Sequence, residues 1–239
     1  MNAVGERPGR SMAQYIHRKL VIEDSILGCR AFADWYRFGD PSLDRPVVSY
    51  IGGRIHTVEY ARRFETEPMP VLERFREALA SVPLDRVDLT VSSAPPLPSE
   101  PEAEFTGHML AHLRDEILAR LPVLRSSAQA FVGYSLGAHL ATHAALATPT
   151  ARALSVVGGV QVAEAAIAAP PGAPRPLPTM VFSNDCDVIA WTGQDLETTV
   201  PPGVLAVSAV RRAGEHGFLD YACNGSLTDA FAFALGSLV

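Results

Sequence analysis

Lysine is almost missing from this chain: Lys19 stands alone, and the other basic residues are arginine. No block of Lys and Arg occurs, and the net charge is −6, so the chain lacks the basic footprint of a nucleic-acid binder. The lysine shortage itself reads as coding bias rather than function. Cysteine is scarce too. Cys29, Cys186 and Cys223 make an odd count without C-x-x-C spacing, which excludes a disulfide framework and a paired-thiol metal site. A reducing cytoplasm is the simplest home for such a chain. No run approaches the roughly 18 apolar residues of a membrane span, so no membrane partner is expected. Residues 1–11 are polar, without the apolar core of a signal peptide, and read as a flexible tail.

What is present suits a folded enzyme-sized unit. Apolar residues make up 48% of the 239, and charged residues 19%, enough for a sizeable core and too little charge for disorder. Residues 13–22 and 28–37 read as two strands joined by a turn, antiparallel to each other. Residues 46–51 form a buried-type strand ending at Gly52-Gly53. From there strands and helices alternate. A helix is expected over 70–81, with Val71, Leu72, Phe75 and Leu79 on one face, and a strand over 87–92. A second helix covers 102–121, with Phe105, Met109, Leu113, Ile117 and Leu121 at helical spacing. Strands at 153–158, 178–183 and 204–210 follow, and a last helix over 218–236.

This order predicts an α/β fold: a mostly parallel central sheet of about eight strands with helices on both faces. The proline-rich pieces at 94–101 and 170–178 are too short to be linkers, so 12–239 reads as one domain. The connection between the strands at 153–158 and 178–183 is too short for a large cap. An open site walled by the loops at 52–69, 94–104 and 160–177 is therefore expected, with room for a bulky or carrier-bound acyl group.

The most pointed local pattern is Gly133-Tyr134-Ser135-Leu136-Gly137, entered by the apolar run Ala128–Val132 and left by a small-residue helix. A serine on a sharp strand-to-helix turn can act as a nucleophile, and the flanking glycines allow the close backbone approach such a turn needs. A serine hydroxyl is a poor nucleophile unless a base lies within hydrogen-bond reach, and the base needs an orienting carboxylate. In an open parallel sheet, groups at the carboxyl ends of different strands converge on one crevice. The strand at 178–183 runs into Asn184-Asp185-Cys186-Asp187-Val188-Ile189. The strand at 204–210 runs into Arg211–Phe218, which contains His216. Serine, aspartate and histidine therefore each follow a strand.

On these residues, the chain resembles the α/β-hydrolase superfamily from about residue 12 to 239. The likeness rests on the Gly133–Gly137 pentapeptide, on Asp187-Val188-Ile189 and on His216-Gly217-Phe218, in the family's chain order. It implies a serine hydrolase that cleaves a carboxylic ester or thioester through an acyl-enzyme. Ser135 would attack, His216 would carry the proton, and Asp187 would hold the imidazole, with Asp185 as the alternative acid. The backbone N–H of Leu136 would be one oxyanion donor, and that of Gly53 or Arg54 the other. Here the chain departs from the family: Tyr50-Ile51-Gly52-Gly53-Arg54 lacks the histidine many relatives carry. Tyr134, Trp191 and His56 are candidates for the substrate pocket, each with an ordinary packing role as the alternative.

Acyl transfer to an amine or hydroxyl, cyclising thioesterase action and peptidase activity would use the same three residues. A binding protein on the same scaffold is the rival from another class, because fold alone does not fix function. No cofactor or metal is expected. His139 and His143, like His108 and His112, sit four apart, but neither pair has the Glu of H-E-x-x-H or an evident third ligand. Cys186 lies among acidic neighbours, which disfavour a thiolate, and reads as a small packing residue. Arg54, Arg62 and Arg63 read as a solvated surface. Neither the substrate nor the oligomeric state is legible.

Overall fold

The run Gln129–Tyr134 can only be a central strand, because all its residues are apolar, small or buried and it has no polar face to give to water. In the computed structural model, which describes residues 15–24, 29–38, 45–55, 74–75, 77–78, 82–92, 128–170, 172 and 174–239, it is β5 of an eight-stranded sheet. The strands are β1 Tyr15–Asp24, β2 Cys29–Phe38, β3 Val47–Ile55, β4 Leu84–Ser92, β5 Gln129–Tyr134, β6 Ala151–Val157, β7 Leu177–Asn184 and β8 Leu205–Arg212. They lie in the order β1-β2-β4-β3-β5-β6-β7-β8. The pairs β1–β2 and β2–β4 are antiparallel, and all the others are parallel. The described helices are α1 Leu136–Ala147, α2 Val162–Ala168, α3 Gly193–Thr199, α4 Phe218–Cys223 and α5 Ser226–Gly236.

The period-two alternation of β5 and β6 sorts the core into two layers. Phe131, Leu154 and Val156 join α1 and α2 on one face of the sheet, with Leu196 of α3. Ala130, Val132, Ala153 and Val157 join Tyr221 of α4 and Phe231 of α5 on the other. Helix α1 is buried almost all round, as its alanine-rich, uncharged sequence requires. Helix α5 is one-sided, with Leu227, Ala230, Phe231, Ala234 and Leu235 buried at helical spacing.

Several boundaries differ from the sequence expectation for physical reasons. Strand β4 starts at Leu84 rather than 87, because two charged residues enter the sheet. Asp85 lies opposite Arg37 on β2 and accepts two hydrogen bonds of 2.5 Å from its guanidinium. The side chain of Arg86 is buried over the rings of Tyr36 and Phe38. Strand β3 continues through Gly52-Gly53 to Ile55 by a break in its register with β4 between Ile51 and Arg54. The expected last helix is two, parted at Asn224-Gly225, where Gly225 takes φ 83. Helices α2 and α3 are additions to the sequence reading. The first, seven residues long, lies within the β6–β7 connection, where no cap domain stands among the described residues. The expected tail at 1–11, most of the 70–81 helix and the whole 102–121 helix lie outside the described residues. Among the described residues no helix is long and apolar enough to cross a membrane.

The order of the sheet places the site. Strand β3 has β4 on one side and β5 on the other, so the crossover direction changes there. A crevice opens at the carboxyl ends of strands flanking such a switch point. Gly52-Gly53 lie in the register break of β3, and Ser135 leaves β5 at that position.

Candidate active site

The chain turns from β5 into α1 within one residue, and Ser135 takes φ 52 and ψ −124 to do it. A side chain at positive φ is strained, so the surroundings must hold it there. The Ser135 N–H donates to the Val157 carbonyl at 3.0 Å, and the Ser135 carbonyl accepts from Ala138 at 3.0 Å and Val160 at 3.2 Å. The flanking glycines are needed for space. A Cβ on Gly133 would stand 2.4 Å from Cα of Ala138, and one on Gly137 would stand 2.2 Å from the carbonyl oxygens of Ile51 and Gly52. These neighbours are backbone and cannot swing aside. Gly137→Ala is expected to cost about 3 kcal/mol and to lower the melting temperature by roughly 6–12 °C in a domain of this size. A thermal melt within about 2 °C of the parent would contradict this close-approach account.

Ser135 Oγ lies 2.9 Å from Nε2 of His216, and Nδ1 of His216 lies 2.6 Å from Oδ2 of Asp187. A carboxylate only accepts, so Nδ1 carries the proton and donates, leaving the Nε2 lone pair for the serine hydroxyl. Asp187 is closed off from solvent, whereas the imidazole keeps about a quarter of its surface exposed. The second carboxylate oxygen of Asp187, Oδ1, accepts from the backbone N–H groups of Ile189 at 3.2 Å and Ala190 at 3.1 Å. Tyr221 completes the set by donating its hydroxyl to Oδ2 at 2.7 Å. Asp185 points elsewhere. It is exposed, and its Oδ1 accepts from the Gly214 N–H at 3.1 Å, so it braces the histidine loop. That bond, followed by one from the Cys186 thiol, holds the Asp185 carboxyl below the usual range.

The loop bearing His216 is pinned from two sides. Asn184 at the end of β7 donates through Nδ2 to the Glu215 carbonyl at 2.9 Å. Asn224 donates to Oδ1 of Asn184 at 2.8 Å and to the Ala213 carbonyl at 3.1 Å. Gly214 has φ 142, and its missing Cβ leaves room for the Asn184 amide, 2.8 Å away. Tyr134 stacks near-parallel on the His216 ring, with 6.0 Å between centroids.

No family model and no curated protein matches the sequence. Solved structures do. The chain is similar to an S-formylglutathione hydrolase from Agrobacterium tumefaciens, at 12% identity over 97% of this chain and 98% of that one, with a TM-score of 0.54. It is similar to brefeldin A esterase, a bacterial homologue of human hormone sensitive lipase, at 16% identity over 100% of this chain and 81% of that one, TM-score 0.53. A ferulic acid esterase matches at 12% identity over 93% of this chain and 99% of that one, TM-score 0.50. The chain has the α/β-hydrolase fold. At these identities the likeness is one of fold.

Within that hydrolase fold the remaining sequence candidates fall as follows. Gly53 is buried against Ser135: a Cβ there would stand 2.9 Å from Cβ of Ser135 and 3.0 Å from the Tyr134 ring. Arg54 has rejoined the β3–β4 register opposite Leu89. Leu136 opens α1, where a backbone N–H has no acceptor within its own helix. Tyr134 is buried between Gly53 and His216. Trp191 is half-buried against the α1–α2 core, its backbone N–H donating to the Gly159 carbonyl at 2.8 Å. His56, Arg62, Arg63, His108 and His112 lie outside the described residues. His139 is buried, its Nδ1 donating to the Gln161 carbonyl at 2.8 Å. Cys186 corrects the expectation: it is exposed and does not pack, because the turn after β7 aims it at solvent. Its thiol is pushed up by the bond to Asp185 and by that carboxylate's charge.

Tyr221, Asn184 and Asn224 were not singled out in the sequence. Tyr221 sits five residues after His216 on a short helix, and nothing local distinguishes it from a core tyrosine. The Asn184–Asn224 bond joins positions 40 apart and has no sequence signal.

Proposed function

We propose that this protein is a serine hydrolase that cleaves a carboxylic ester or thioester through an acyl-serine intermediate. The observation that carries the reading is the unbroken chain Ser135 Oγ–His216 Nε2, His216 Nδ1–Asp187 Oδ2, at 2.9 and 2.6 Å, with the serine on a strained turn at the switch point of the sheet. In this reading Ser135 Oγ attacks the acyl carbon while Nε2 of His216 takes the hydroxyl proton. The imidazolium is stabilised by the buried Asp187 carboxylate. Charge collects on the carbonyl oxygen, for which the N–H of Leu136 at the start of α1 and that of Gly53, packed against Ser135, would be the donors. Between the two earlier choices, Gly53 is favoured over Arg54 because it lies in the register break against Ser135. His216 then gives its proton to the leaving alcohol or thiol. A water molecule attacks the ester of Ser135, passes its proton to His216, and the acid leaves as the serine is regenerated.

Exposed apolar residues close in sequence to Asp187 and His216 support an apolar acyl group. Val188 and Ile189 follow Asp187 and Leu219 follows His216, and all three are exposed, Val188 at 93%. Large apolar side chains so near reacting groups are apt to meet an apolar part of the substrate. The structural neighbours named as esterases agree with the reaction class.

A fluorophosphonate probe tests the reading directly. The native protein is expected to take up one probe per chain, mapped by peptide mass to Ser135, and His216→Ala is expected to abolish uptake. Hydrolysis of a panel of p-nitrophenyl esters and acyl thioesters then names the preferred acyl group. A folded native protein that never labels and hydrolyses none of the panel would leave the scaffold as a binding protein.

A further inference from the structure

We propose that Tyr221 is a positioning residue: it shares the Asp187 carboxylate with His216 and so sets how firmly that carboxylate holds a proton on the imidazole. This rests on the proposed function only in giving the imidazole a use; the geometry stands without it. Both the tyrosine hydroxyl and the imidazole N–H donate to the same oxygen, Oδ2, at 2.7 and 2.6 Å. An oxygen that shares its charge between two short donors offers less of it to either. Oδ1 is meanwhile engaged by the N–H groups of Ile189 and Ala190. Among the described residues the carboxylate thus has four donors, of which Tyr221 competes with His216 from a side chain.

The phenol is built into this position. Its oxygen accepts the Asn184 N–H at 3.1 Å, which fixes the direction of its own donated proton toward Asp187. The ring is fully buried and lies edge-on to Tyr134 at 5.9 Å. It rests on Gly158, which has φ 53 and where a Cβ would stand 2.7 Å from the ring. Burial, then the bond to Asp187 and its charge, push the phenol's ionisation far above its ordinary value. Tyr221 therefore remains a neutral donor at every working pH.

The groups that bear on His216 come from four elements. Asp187, Asp185 and the Cys186 thiol belong to the loop after β7, and Tyr134 to β5. Arg211 lies just before Arg212, the last residue of β8, with Glu215 just before the histidine, and Tyr221 and Asp220 lie on α4. All but the Tyr221 hydroxyl are unchanged in Tyr221→Phe, so a change in titration reports that hydroxyl.

The test follows the His216 ring by NMR across pH, a readout that needs no substrate. In Tyr221→Phe, Oδ2 keeps one side-chain donor, holds the imidazolium more firmly, and the titration midpoint is expected to rise by about half a unit to one unit. The acidic limb of the fluorophosphonate labelling rate moves up with it. Replacing Tyr221 by 3-fluorotyrosine strengthens the donor while keeping the hydroxyl that Asn184 needs, and the midpoint is expected to fall. This second variant also reads the inference if the phenylalanine variant does not fold. Ser155→Ala is the control. It removes a buried hydroxyl bonded to the Ala230 carbonyl, away from Asp187, and should leave the midpoint in place. Unmoved midpoints in the folded Tyr221 variants, or an equal shift in Ser155→Ala, would overturn the proposal. A protein whose Ser135 never reacts but whose midpoint moves would sink the hydrolase reading and leave this one standing.

Discussion

Ser135→Ala is expected to lower kcat/KM on the best ester by about 10⁴–10⁶-fold, the range seen when a nucleophile that acts as one unit with its base is removed. The loss is chemical and not structural. Alanine keeps the Cβ that packs against Gly53 and is no more at ease than serine at φ 52, so the turn into α1 holds its shape. The melting temperature should stay within about 2 °C of the parent, since the substitution opens no sizeable cavity. Among the described residues, the side-chain bond lost is the 2.9 Å contact to His216. What activity remains would come from the oxyanion donors and from binding, which still favour attack by water. The measurement is steady-state hydrolysis alongside fluorophosphonate uptake: both should vanish together. Activity within about tenfold of the parent on every ester would mean that some other group attacks.

The turn that carries Ser135 was legible because its geometry is dictated locally. Gly133 and Gly137 are required by atoms that the strand-turn-helix brings to 2.4 and 2.2 Å, so the sequence must carry small residues there. Chain order carried the acid and the histidine, since each follows a strand whose end faces the same crevice. The residues alone left Asp185 open beside Asp187, and the preference for Asp187 came from the family resemblance. Both lie in one turn, and only the fold shows one carboxylate turned to His216 and the other to Gly214.

Elements were missed where tertiary contacts overrule local pattern. The start of β4 looks polar, yet Asp85 is neutralised by Arg37 across the sheet, a pairing no one-dimensional pattern displays. Helices α2 and α3 have seven residues each, too few for a helical period to stand out. A signal for α3 was nonetheless present. Thr192 and Asp195 form a capping box, in which Thr192 Oγ1 accepts the Asp195 N–H at 3.2 Å and the aspartate accepts the Thr192 N–H at 2.8 Å. Tyr221 was invisible for a different reason. Its role lies in where its oxygen points, which depends on α4 packing under β7 and on the bare backbone of Gly158.

Asp187→Asn is expected to lower kcat/KM by about 10⁴-fold, and Asp185→Asn by no more than a few-fold, because only the first carboxylate faces the imidazole. The size follows from counting donors. Four N–H or O–H groups point at Asp187, and a carboxylate is the side chain of that size able to accept from all of them. An asparagine must place its NH₂ somewhere. Set at the Oδ2 position, it faces Nδ1 of His216, which must then accept, and the ring proton moves to Nε2 opposite Ser135. The base is lost although every atom keeps its place. Set at the Oδ1 position, it meets the N–H groups of Ile189 and Ala190, and donors face donors in a buried site, costing about 1–3 kcal/mol. Either choice harms the site, the first through protonation and the second through the loop that carries Val188 and Ile189. The labelling rate separates the two: a stable protein with slow labelling at all pH points to the first, and a lowered melting temperature to the second. Asp185→Asn should instead loosen Gly214 through its weakened 3.1 Å bond and leave the serine reactive. A thousandfold loss in Asp185→Asn, with Asp187→Asn near the parent, would reverse the assignment of the acid.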